Sequence, residues 1–377
     1  MQLPLKGIVI LEFSQYLSGP CAGLRLADLG ARVIKIERPV KGEAGRKLAI
    51  KDLWINENSL LFHTINRNKE SFVTDLDDSE DRKWLTKLIE KADVIIHNFR
   101  PGVMERKGLG YESVKKINAS IVYTSISGYG AKGPWKDKPG QDLLIQSLSG
   151  LTYATGNHHD NALPFGLAIG DYLCGNQAVQ AVLAALIRKK KTGQGALLEL
   201  SLMESLIDFQ FEFFTTYFEA KSLHKRSVIN NAHSLLSAPY GVYKTKDGYL
   251  AVAMMLLEKL NKAIACEELK AFQEEDAFKK RDEIKTVLQH HFSTETTTYW
   301  LEKGKPFDLW IAPVLNWKQL IKKDGYIDLK MEQFIEFGNK RIKTTRCPIQ
   351  INGKFFLSKT PAPLLGEHTQ SIKNELA

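Results

Sequence analysis

The 377-residue sequence predicts an α/β fold with a largely parallel sheet. Short apolar segments alternate with helical patterns through the first half of the chain, beginning with 7–13, 21–30 and 31–37. A hydrophobic content of 44% and a charged content of 25% are typical of a globular chain that buries a core. Because parallel strands need crossover connections, this alternation indicates a sheet covered by helices on both faces.

The elements of this sheet can be followed along the chain. The predicted strands span 7–13, 31–37, 70–76, 92–99, 119–130 and 196–202, and the predicted helices span 21–30, 78–91, 111–118, 171–191 and 203–220. The apolar positions of 171–191 recur at helical spacing, and Thr192 and Gly193 end that helix. We therefore predict an open, largely parallel, Rossmann-like sheet in a large domain.

A change of character near residue 225 indicates a second domain. A hairpin-like segment at 238–254 carries an Asp-Gly turn, and charged helical patterns follow it to about residue 300. We predict a large α/β domain over 1–224 with a linker helix from about 203, a smaller α+β domain over 225–320, and a return segment over 321–377 that completes the large domain.

Charge and cysteine content restrict the classes of function. The net charge of +9 indicates an anionic partner, or it reflects solvated lysine runs such as 188–195. No RNP, zinc-finger or interleaved aromatic and basic pattern supports nucleic acid as that partner. The apolar stretches are too short to span a membrane, and the N-terminus reads as a strand rather than a signal peptide. The four cysteines lack CxxC spacing, so we expect a reduced, cytoplasmic protein without a zinc site.

Basic residues follow several predicted strands, at the sheet edge where α/β folds bind ligands. The loop 14–20 also leads into a helix N-terminus, which suits an anion as well as a plain turn. The basic residues near these strand ends are Arg38, Lys41, Arg46, Lys47, Arg67, Lys69, Arg100 and Arg106, and Asn98 lies among them. They could surround one polyphosphorylated ligand, because both Arg and Lys bind phosphate, or they could belong to three solvated loops.

Asp171 lies where the long predicted helix begins. It could be an N-cap, or a nucleophile whose ionised carboxylate is stabilised by the helix N-terminus. Asp142 is likewise a second carboxylate or a helix cap, and Gln141 and Asp142 are candidate supporting residues. His97 and the histidines at 158–159 read as ordinary strand-end and loop residues. No Cys/His, Ser/His or HExxH grouping offers a competing nucleophile or metal site.

These stretches together resemble the class III CoA-transferases, which include formyl-CoA and carnitine CoA-transferases, and they also resemble α-methylacyl-CoA racemase. The resemblance covers nearly the whole chain. It rests on LEFSQYLSGPCAGLRLADLGARVIKIERP, NRNKES, ADVIIHNFRPGVMERKGLGY, SISGYGAKGPW, PGQDLLIQSLSGL, GLAIGDYLCGNQAVQAVLAALIRKKKTGQG, SAPYGVYKTKDG and LLGEHTQSI.

The resemblance implies a CoA-transferase that moves CoA from an acyl-CoA thioester to a small carboxylic acid. It implies that Asp171 is the nucleophile and forms a covalent aspartyl intermediate. The positions implied to contact CoA are Gln15, Tyr16, Leu17, Ser18, Arg38, Lys69, Asn98, Phe99 and Arg106. It further implies that both chain ends lie in the larger domain, that two chains interlock as a homodimer, and that CoA thioester is a substrate with no further cofactor or metal.

Two positions distinguish subgroups within this resemblance. Racemases have a histidine base before the Asp of the PGxD segment, whereas this chain has Gln141, an amide that does not exchange protons near neutral pH. Formyl-CoA transferases have Gln in place of Leu17 and a glycine-rich loop where this chain has 230–241. Formate and oxalate are therefore not implied as substrates. The alternatives are an acyl-CoA racemase or epimerase, and a non-catalytic protein that binds CoA or nucleic acid.

Overall fold

The computed structural model describes residues 3–377, which form two compact units. The first unit comprises the described residues of Met1–Ile145 together with Ala168–Asp208 and Lys330–Ala377. The second unit comprises Gln146–Leu167 and Phe209–Leu329. Over residues 3–377, no helix combines the length and the apolar character that a membrane crossing requires.

The secondary structure is as follows. The strands are β1 (Val9–Glu12), β2 (Arg32–Glu37), β3 (Trp54–Ile55), β4 (Asn58–Ser59), β5 (Glu70–Val73), β6 (Val94–His97), β7 (Val122–Ser127), β8 (Ala196–Ser201), β9 (Gly241–Lys244), β10 (Tyr249–Val252), β11 (Ile311–Pro313), β12 (Glu332–Phe337), β13 (Lys340–Thr345), β14 (Gln350–Ile351) and β15 (Lys354–Phe355). The helices are α1 (Ser18–Asp28), α2 (Leu60–Ile65), α3 (Ser79–Lys91), α4 (Val103–Arg106), α5 (Tyr111–Ile117), α6 (Asp142–Leu148), α7 (Leu151–Ala154), α8 (Ile169–Thr192), α9 (Leu202–Phe209), α10 (Phe211–Ala220), α11 (Leu257–Ile264), α12 (Asp276–Lys279), α13 (Arg281–Phe292), α14 (Thr297–Gly304), α15 (Trp317–Leu320), α16 (Asp324–Leu329) and α17 (Thr369–Leu376).

A six-stranded sheet forms the centre of the first unit, in the order β5-β2-β1-β6-β7-β8. Every neighbouring pair in it is parallel. Renumbered along the chain, this is the order 3-2-1-4-5-6 of a doubly wound Rossmann-type sheet, so the predicted α/β fold with a largely parallel sheet is confirmed. The strand order reverses at β1, and the crevice beyond the carboxyl ends of β1 and β6 is the expected ligand position.

Local sequence explains why these elements form. The strands β1 (VILE) and β6 (VIIH) are almost wholly buried apolar runs, as expected for central strands of a parallel sheet. Helix α3 begins where the side chain of Asp78 accepts the N–H of Asp81, and it buries Leu85, Leu88 and Ile89. These side chains belong to a core that also includes residues of β1, β2, β6 and β7.

Two predicted helices differ from the observed ones. Helix α1 begins at Ser18 rather than at residue 21, because its first turn accommodates Pro20, whose missing N–H would have no partner there. The helix predicted over 203–220 is divided into α9 and α10 at Gln210, whose backbone leaves the helical conformation. The buried Gln210 side chain donates to the carbonyl oxygen of Ser149 at 3.2 Å, a tertiary contact that sequence periodicity does not reveal.

The second unit contains the antiparallel sheet β11-β10-β9. Strands β9 and β10 form the hairpin expected within 238–254. The side chains of Tyr243, Leu250 and Leu288 pack in its core, together with Trp300. The predicted domain limits at 225 and 320 stay a prediction, and the compact units divide the chain at other points, since 146–167 and α10 belong to the second unit.

Candidate functional site

Asp171 is the third residue of α8, which begins at Ile169. The N-cap position is Ala168, which makes no side-chain capping bond, so the interpretation of Asp171 as the cap is wrong. The backbone N–H of Asp171 donates instead to Oδ1 of Asp142 at 2.9 Å. Asp142 therefore satisfies, from outside the helix, one of the N–H groups that the first turn of α8 leaves without an intrahelical partner.

The side chain of Asp171 is partly buried and faces the start of α1. Burial and, second, the negative charge of Asp142 raise the pKa of Asp171 to about 6. Hydrogen bonding from the hydroxyl and the backbone N–H of Ser18 opposes this rise. At pH 7 the carboxylate is mostly ionised yet poorly solvated, which is the state of an activated oxygen nucleophile.

A close approach of α8 to α1 brings Asp171 and Ser18 together. A Cβ atom placed on Gly175 would lie 2.7 Å from the carbonyl oxygen of Ser18, a distance that real Cβ atoms do not adopt. Glycine at 175 therefore lets the two backbones approach, one helical turn after Asp171.

The loop between β1 and α1 is fastened by Asn98, which follows β6. Asn98 Oδ1 accepts the N–H of Gln15 at 2.8 Å, and Asn98 Nδ2 donates to the carbonyl oxygen of Gln15 at 2.7 Å. Asn98 Nδ2 also lies 3.3 Å from Oγ of Ser18. Within this loop, Tyr16 has a φ of +64°, an unfavourable value for a side chain of this size. The two hydrogen bonds between the Asn98 amide and the backbone of Gln15 thus hold this strained turn in place, and we call them the Asn98 bracket.

Buried charged groups lie beneath the same loop. The ammonium of Lys69 contacts Glu12 at 2.7 Å, the carbonyl oxygen of Pro20 at 2.9 Å and Oδ1 of Asn66 at 2.9 Å. The contact with CoA predicted for Lys69 stays a prediction, and the structure directs its three N–H donors to protein acceptors. Lys35 similarly contacts Glu12 at 2.8 Å.

A cavity of about 390 Å³ lies at the carboxyl ends of β1, β2 and β5. Its lining includes Gln15, Arg38 and Phe99, three of the residues predicted to contact CoA. The hydroxyls of Ser14 and Thr74, which also line it, are buried and have no hydrogen-bond partner among residues 3–377. Buried polar atoms left in this way normally receive a partner from water or a ligand.

The other predicted residues occupy varied positions. Tyr16 and Arg106 are exposed, and Leu17 is half-buried. Gln141 is exposed at the start of α6, where its carbonyl oxygen accepts the N–H groups of Leu144 and Ile145. Arg46, one of the basic residues near the end of β2, does not reach the site.

Arg46 is instead buried in an ion pair within the first unit. Its Nε and Nη2 donate to the two carboxylate oxygens of Glu37 at 2.8 and 2.6 Å, and its guanidinium stacks on the ring of Phe62 at 4.0 Å. In this bidentate pair the carboxylate of Glu37 neutralises the guanidinium charge of Arg46. We therefore do not count Arg46 among the cations that bind the ligand.

A second cavity, of about 480 Å³, lies at the opposite ends of the strands, where β2 and β5 begin. Arg32 and Glu70 line it and form a bidentate ion pair at 2.8 Å. It is the larger of the two cavities, and Asp171 and Ser18 line neither of them. Binding in doubly wound sheets occurs at the carboxyl ends of the strands, so the cavity near Arg38 is the relevant one.

Comparison with known proteins decides the family. The family described as CoA-transferase family III matches residues 5–369, nearly the whole chain. The chain belongs to CoA-transferase family III. The resemblance found in the sequence motifs is thereby confirmed, and CoA-transferase activity follows at the level of the family.

The relatives of this family III chain described here are 27 to 31% identical to it. The succinyl-CoA:glutarate CoA-transferase of Homo sapiens is 30% identical, over 99% of this chain and 86% of that protein. The acetyl-CoA:oxalate CoA-transferase of Acetobacter aceti is 31% identical, over 99% of this chain and 96% of that protein. The crystal structure of a CAIB/BAIF family protein from Brucella suis superposes with a TM-score of 0.87 at 27% identity and covers 100% of both chains.

Sequence reasoning missed Glu12 and Lys35, whose side chains lie beneath the loop of this CoA-transferase. A signal was present, because each is a charged residue between two apolar residues of a predicted strand. A carboxylate in VILE and an ammonium in VIKIE are rare in buried parallel strands unless they pair with each other. The unpartnered hydroxyls of Ser14 and Thr74 had no comparable signal.

Proposed function

We propose that this chain transfers CoA from an acyl-CoA thioester to a carboxylic acid through a covalent intermediate on Asp171. The observation that carries the proposal is the position of Asp171, in the first turn of α8 and facing the hydroxyl and N–H of Ser18. A pKa of about 6 leaves this carboxylate ionised at neutral pH while burial keeps its hydration low. A competing nucleophile with a general base is not part of this arrangement.

The first half-reaction takes the acyl group from CoA. A carboxylate oxygen of Asp171 attacks the thioester carbonyl carbon, the C–S bond breaks, and CoA leaves as a thiolate with the electron pair. The thiolate then attacks the aspartyl carbonyl carbon of the mixed anhydride. The donor acid leaves as a carboxylate, and Asp171 is left as a thioester of CoA.

The second half-reaction reverses these steps with the acceptor. The acceptor carboxylate attacks the aspartyl thioester and releases CoA thiolate, which attacks the acceptor carbonyl of the new anhydride and restores the Asp171 carboxylate. The thioester bond energy is conserved throughout, so the chemistry needs no ATP. CoA is a substrate here, and no further cofactor is required by these steps.

Backbone N–H groups of the loop are suited to the oxyanions formed in each step. The N–H of Gln15 is taken by Asn98, and the N–H of Ser18 is directed at Asp171. We therefore assign oxyanion stabilisation to the N–H groups of Tyr16 and Leu17. The Asn98 bracket holds the backbone of this turn in position before the substrate binds.

The cavity at the carboxyl ends of β1, β2 and β5 is our proposed position for the nucleotide of CoA. Arg38 is exposed at its rim, and Phe99 supplies an aromatic surface for a base. The buried hydroxyls of Ser14 and Thr74 offer hydrogen bonds to polar atoms of the nucleotide. Exposed Arg106 is the remaining cation that we assign to the phosphates.

The substrates are best tested with the compounds named for the relatives. Succinyl-CoA and acetyl-CoA would be offered as donors to glutarate, oxalate and related acids, with new CoA thioesters detected by mass spectrometry. Transfer in the wild type and its loss in Asp171→Ala are expected. Asp208→Asn is the matched control, because Asp208 is an exposed carboxylate that binds Gln177 of the same helix α8. Substantial transfer by Asp171→Ala would remove Asp171 from its role.

An acyl-CoA racemase or epimerase is the second function to exclude. Racemisation needs two opposed bases at the α-carbon, and the amide of Gln141 cannot take up a proton near neutral pH. Uptake of solvent deuterium at the α-carbon of an acyl-CoA, with no acceptor acid present, would establish racemase activity in place of transfer.

We further propose a homodimer in the cytoplasm. On α10, the exposed fractions of the Phe211, Tyr217 and Phe218 side chains are 62%, 44% and 65%, an apolar surface that a second chain would cover. The four cysteines, which are Cys21, Cys174, Cys266 and Cys347, are all free thiols, as in a reducing compartment. Light scattering of the wild type and of Phe218→Asp tests the dimer, and a monomeric wild type would contradict it.

A further inference from the structure

Glu12, the last residue of β1, is a buried carboxylate that joins two buried ammonium groups. Its Oε1 lies 2.8 Å from Nζ of Lys35, and its Oε2 lies 2.7 Å from Nζ of Lys69. The exposed fractions of these three residues are 0%, 0% and 3%. Burial by itself raises the pKa of Glu12, but the two ammonium groups outweigh it and hold the pKa below its ordinary value. The carboxylate is therefore an ionised bridge.

Lys35 is held on one side of this bridge by two hydrogen bonds and a further ion pair. Besides Glu12, its ammonium contacts the carbonyl oxygen of Ser14 at 2.9 Å and Oε2 of Glu43 at 2.6 Å. Lys35 lies on β2, and Ser14 begins the loop that follows β1. The ammonium thus anchors the start of that loop to the neighbouring strand.

On the other side, Lys69 has an acceptor for each of its three N–H donors. Besides Glu12, it contacts the carbonyl oxygen of Pro20 and Oδ1 of Asn66, both at 2.9 Å. Pro20 lies in the first turn of α1. This second ammonium thus anchors the point where the loop becomes helix.

Between the two anchors lies the part of the loop that faces the nucleophile. It contains Ser18, which hydrogen-bonds Asp171, and Tyr16, whose φ is +64°. A strained residue of this kind persists only where its surroundings determine the backbone from several sides. The carbonyls of Ser14 and Pro20 supply two of those constraints.

A glycine in α1 leaves room for the carboxylate of Glu12. A Cβ atom on Gly23 would lie 1.8 Å from Oε2 of Glu12 and 3.2 Å from Nζ of Lys69. Glycine at 23 weakens the helix by about 1 kcal/mol relative to alanine. Buried ion networks also rarely exceed the stability of an apolar core of equal volume. Both features therefore favour a role in geometry over a role in stability alone.

We infer that Glu12, Lys35 and Lys69 form a positioning triad that fixes the loop so that Ser18 meets Asp171 correctly. The triad lies beneath the loop and acts through it. This inference rests on the proposed role of Asp171. It assigns Lys69 to the geometry of the loop and adds two residues to the functional set.

The decisive variant is Glu12→Gln, which keeps the size of the side chain and removes the charge that joins the two ammonium groups. Succinyl-CoA, acetyl-CoA and glutaryl-CoA would be mixed singly with excess protein, and the rate of donor-acid release would be followed from pH 5 to 8. Mass gain of the Asp171 peptide would be followed alongside. We expect the rate in Glu12→Gln to fall roughly 10- to 100-fold, since a displacement near 1 Å has an effect of this order.

The pH profile of the rate distinguishes a positioning role of Glu12 from a role in stability alone. A displaced Ser18 stabilises the ionised carboxylate less, so the acid limb of the Glu12→Gln profile is expected to move upward by about one pH unit. Asp28→Asn is the matched control, because Asp28 is a buried carboxylate at the other end of α1, bonded to Ser358 at 2.8 Å. It is expected to leave the position of the acid limb unchanged.

The outcomes distinguish this inference from the proposed function. A wild type whose Asp171 peptide gains no mass with any of the three thioesters overturns the proposed function and the inference with it. A labelled wild type, together with a Glu12→Gln protein of unchanged rate and acid limb, overturns the inference alone. If Glu12→Gln does not fold, Glu12→Asp takes its place, because aspartate keeps the charge but is too short to contact both ammonium groups. A smaller loss of rate and a smaller upward shift of the acid limb are then expected.

Discussion

The backbone N–H of Asp171 donates to Oδ1 of Asp142 at 2.9 Å, so one carboxylate caps the helix on which the other lies. The same contact places a negative charge beside the side chain of Asp171. Burial is the larger cause of the raised pKa of Asp171, and the charge of Asp142 is the second. The pair thus links the capping of α8 to the reactivity of the nucleophile.

Replacement of Asp142 by Asn should lower the pKa of Asp171, because it removes the like charge and keeps an acceptor for the N–H. We expect the acid limb of the acylation rate to move downward by about half to one pH unit. Asp142→Ala, which also loses the capping bond, should in addition destabilise the protein by about 1 kcal/mol. Rate profiles and melting curves of both variants make the comparison, and an acid limb that moves upward in Asp142→Asn would contradict the electrostatic account.

Ser18→Ala should have the opposite effect on the pKa of Asp171, since the hydroxyl that stabilises the ionised form is lost. We expect the acid limb to rise and the acylation rate at pH 7 to fall about 3- to 30-fold, while the backbone N–H of residue 18 remains. Ser113→Ala on the exposed face of α5 is the control. Rapid-quench measurement of donor-acid release would show the effect, and equal profiles for the two variants would refute it.

Asp171→Asn should stabilise the protein at neutral pH. The folded-state pKa of about 6 lies above the ordinary value of 3.8, so ionisation of this group opposes folding, increasingly as the pH rises through this interval. The variant should gain about 1 to 3 kcal/mol at pH 7.5, and the gain should disappear near pH 4. Calorimetry of both proteins over this range gives the answer, and a gain that is largest at low pH would have the wrong sign.

The close approach of α8 to α1 predicts a large effect of a single methyl group. Gly175→Ala would place a Cβ 2.7 Å from the carbonyl oxygen of Ser18, so we expect a loss of about 1 to 3 kcal/mol and slower acylation. Gly325→Ala in α16 is the matched substitution, because a Cβ there meets no atom within 4 Å. Its helix propensity should leave stability unchanged or raise it slightly. Equal melting temperatures for the two variants would argue against the close contact.

Much of the fold could be predicted because its causes are local. Apolar runs such as VILE predicted buried parallel strands, and the periodic pattern after Asp171 predicted α8. The break at Gln210 could not be predicted, since it depends on a hydrogen bond to Ser149, 61 positions away. The start of α1 was predicted three residues too late. A Gly-Pro pair occurs both in a turn that precedes a helix and in the first turn of a helix, and the sequence alone does not distinguish the two.

The candidate site could be predicted only in part, because only some of its features have local causes in the sequence. Asp171 and Ser18 were found through motifs, and the structure brings them together. Arg46 resembles a ligand-binding cation in sequence, yet its partner Glu37 lies in another segment and pairs with its charge internally. Whether a cation is exposed or paired depends on tertiary contacts, which a single sequence does not record.

The most direct test of the account is chemical trapping of the intermediate on Asp171. Wild-type protein would be incubated with the thioester that it uses fastest, treated with hydroxylamine, digested, and analysed by peptide mass spectrometry. The account predicts that the peptide containing Asp171 becomes a hydroxamate, and that Asp208→Asn gives the same product while Asp171→Ala does not. Continued CoA transfer with no change in the mass of that peptide would contradict the central claim.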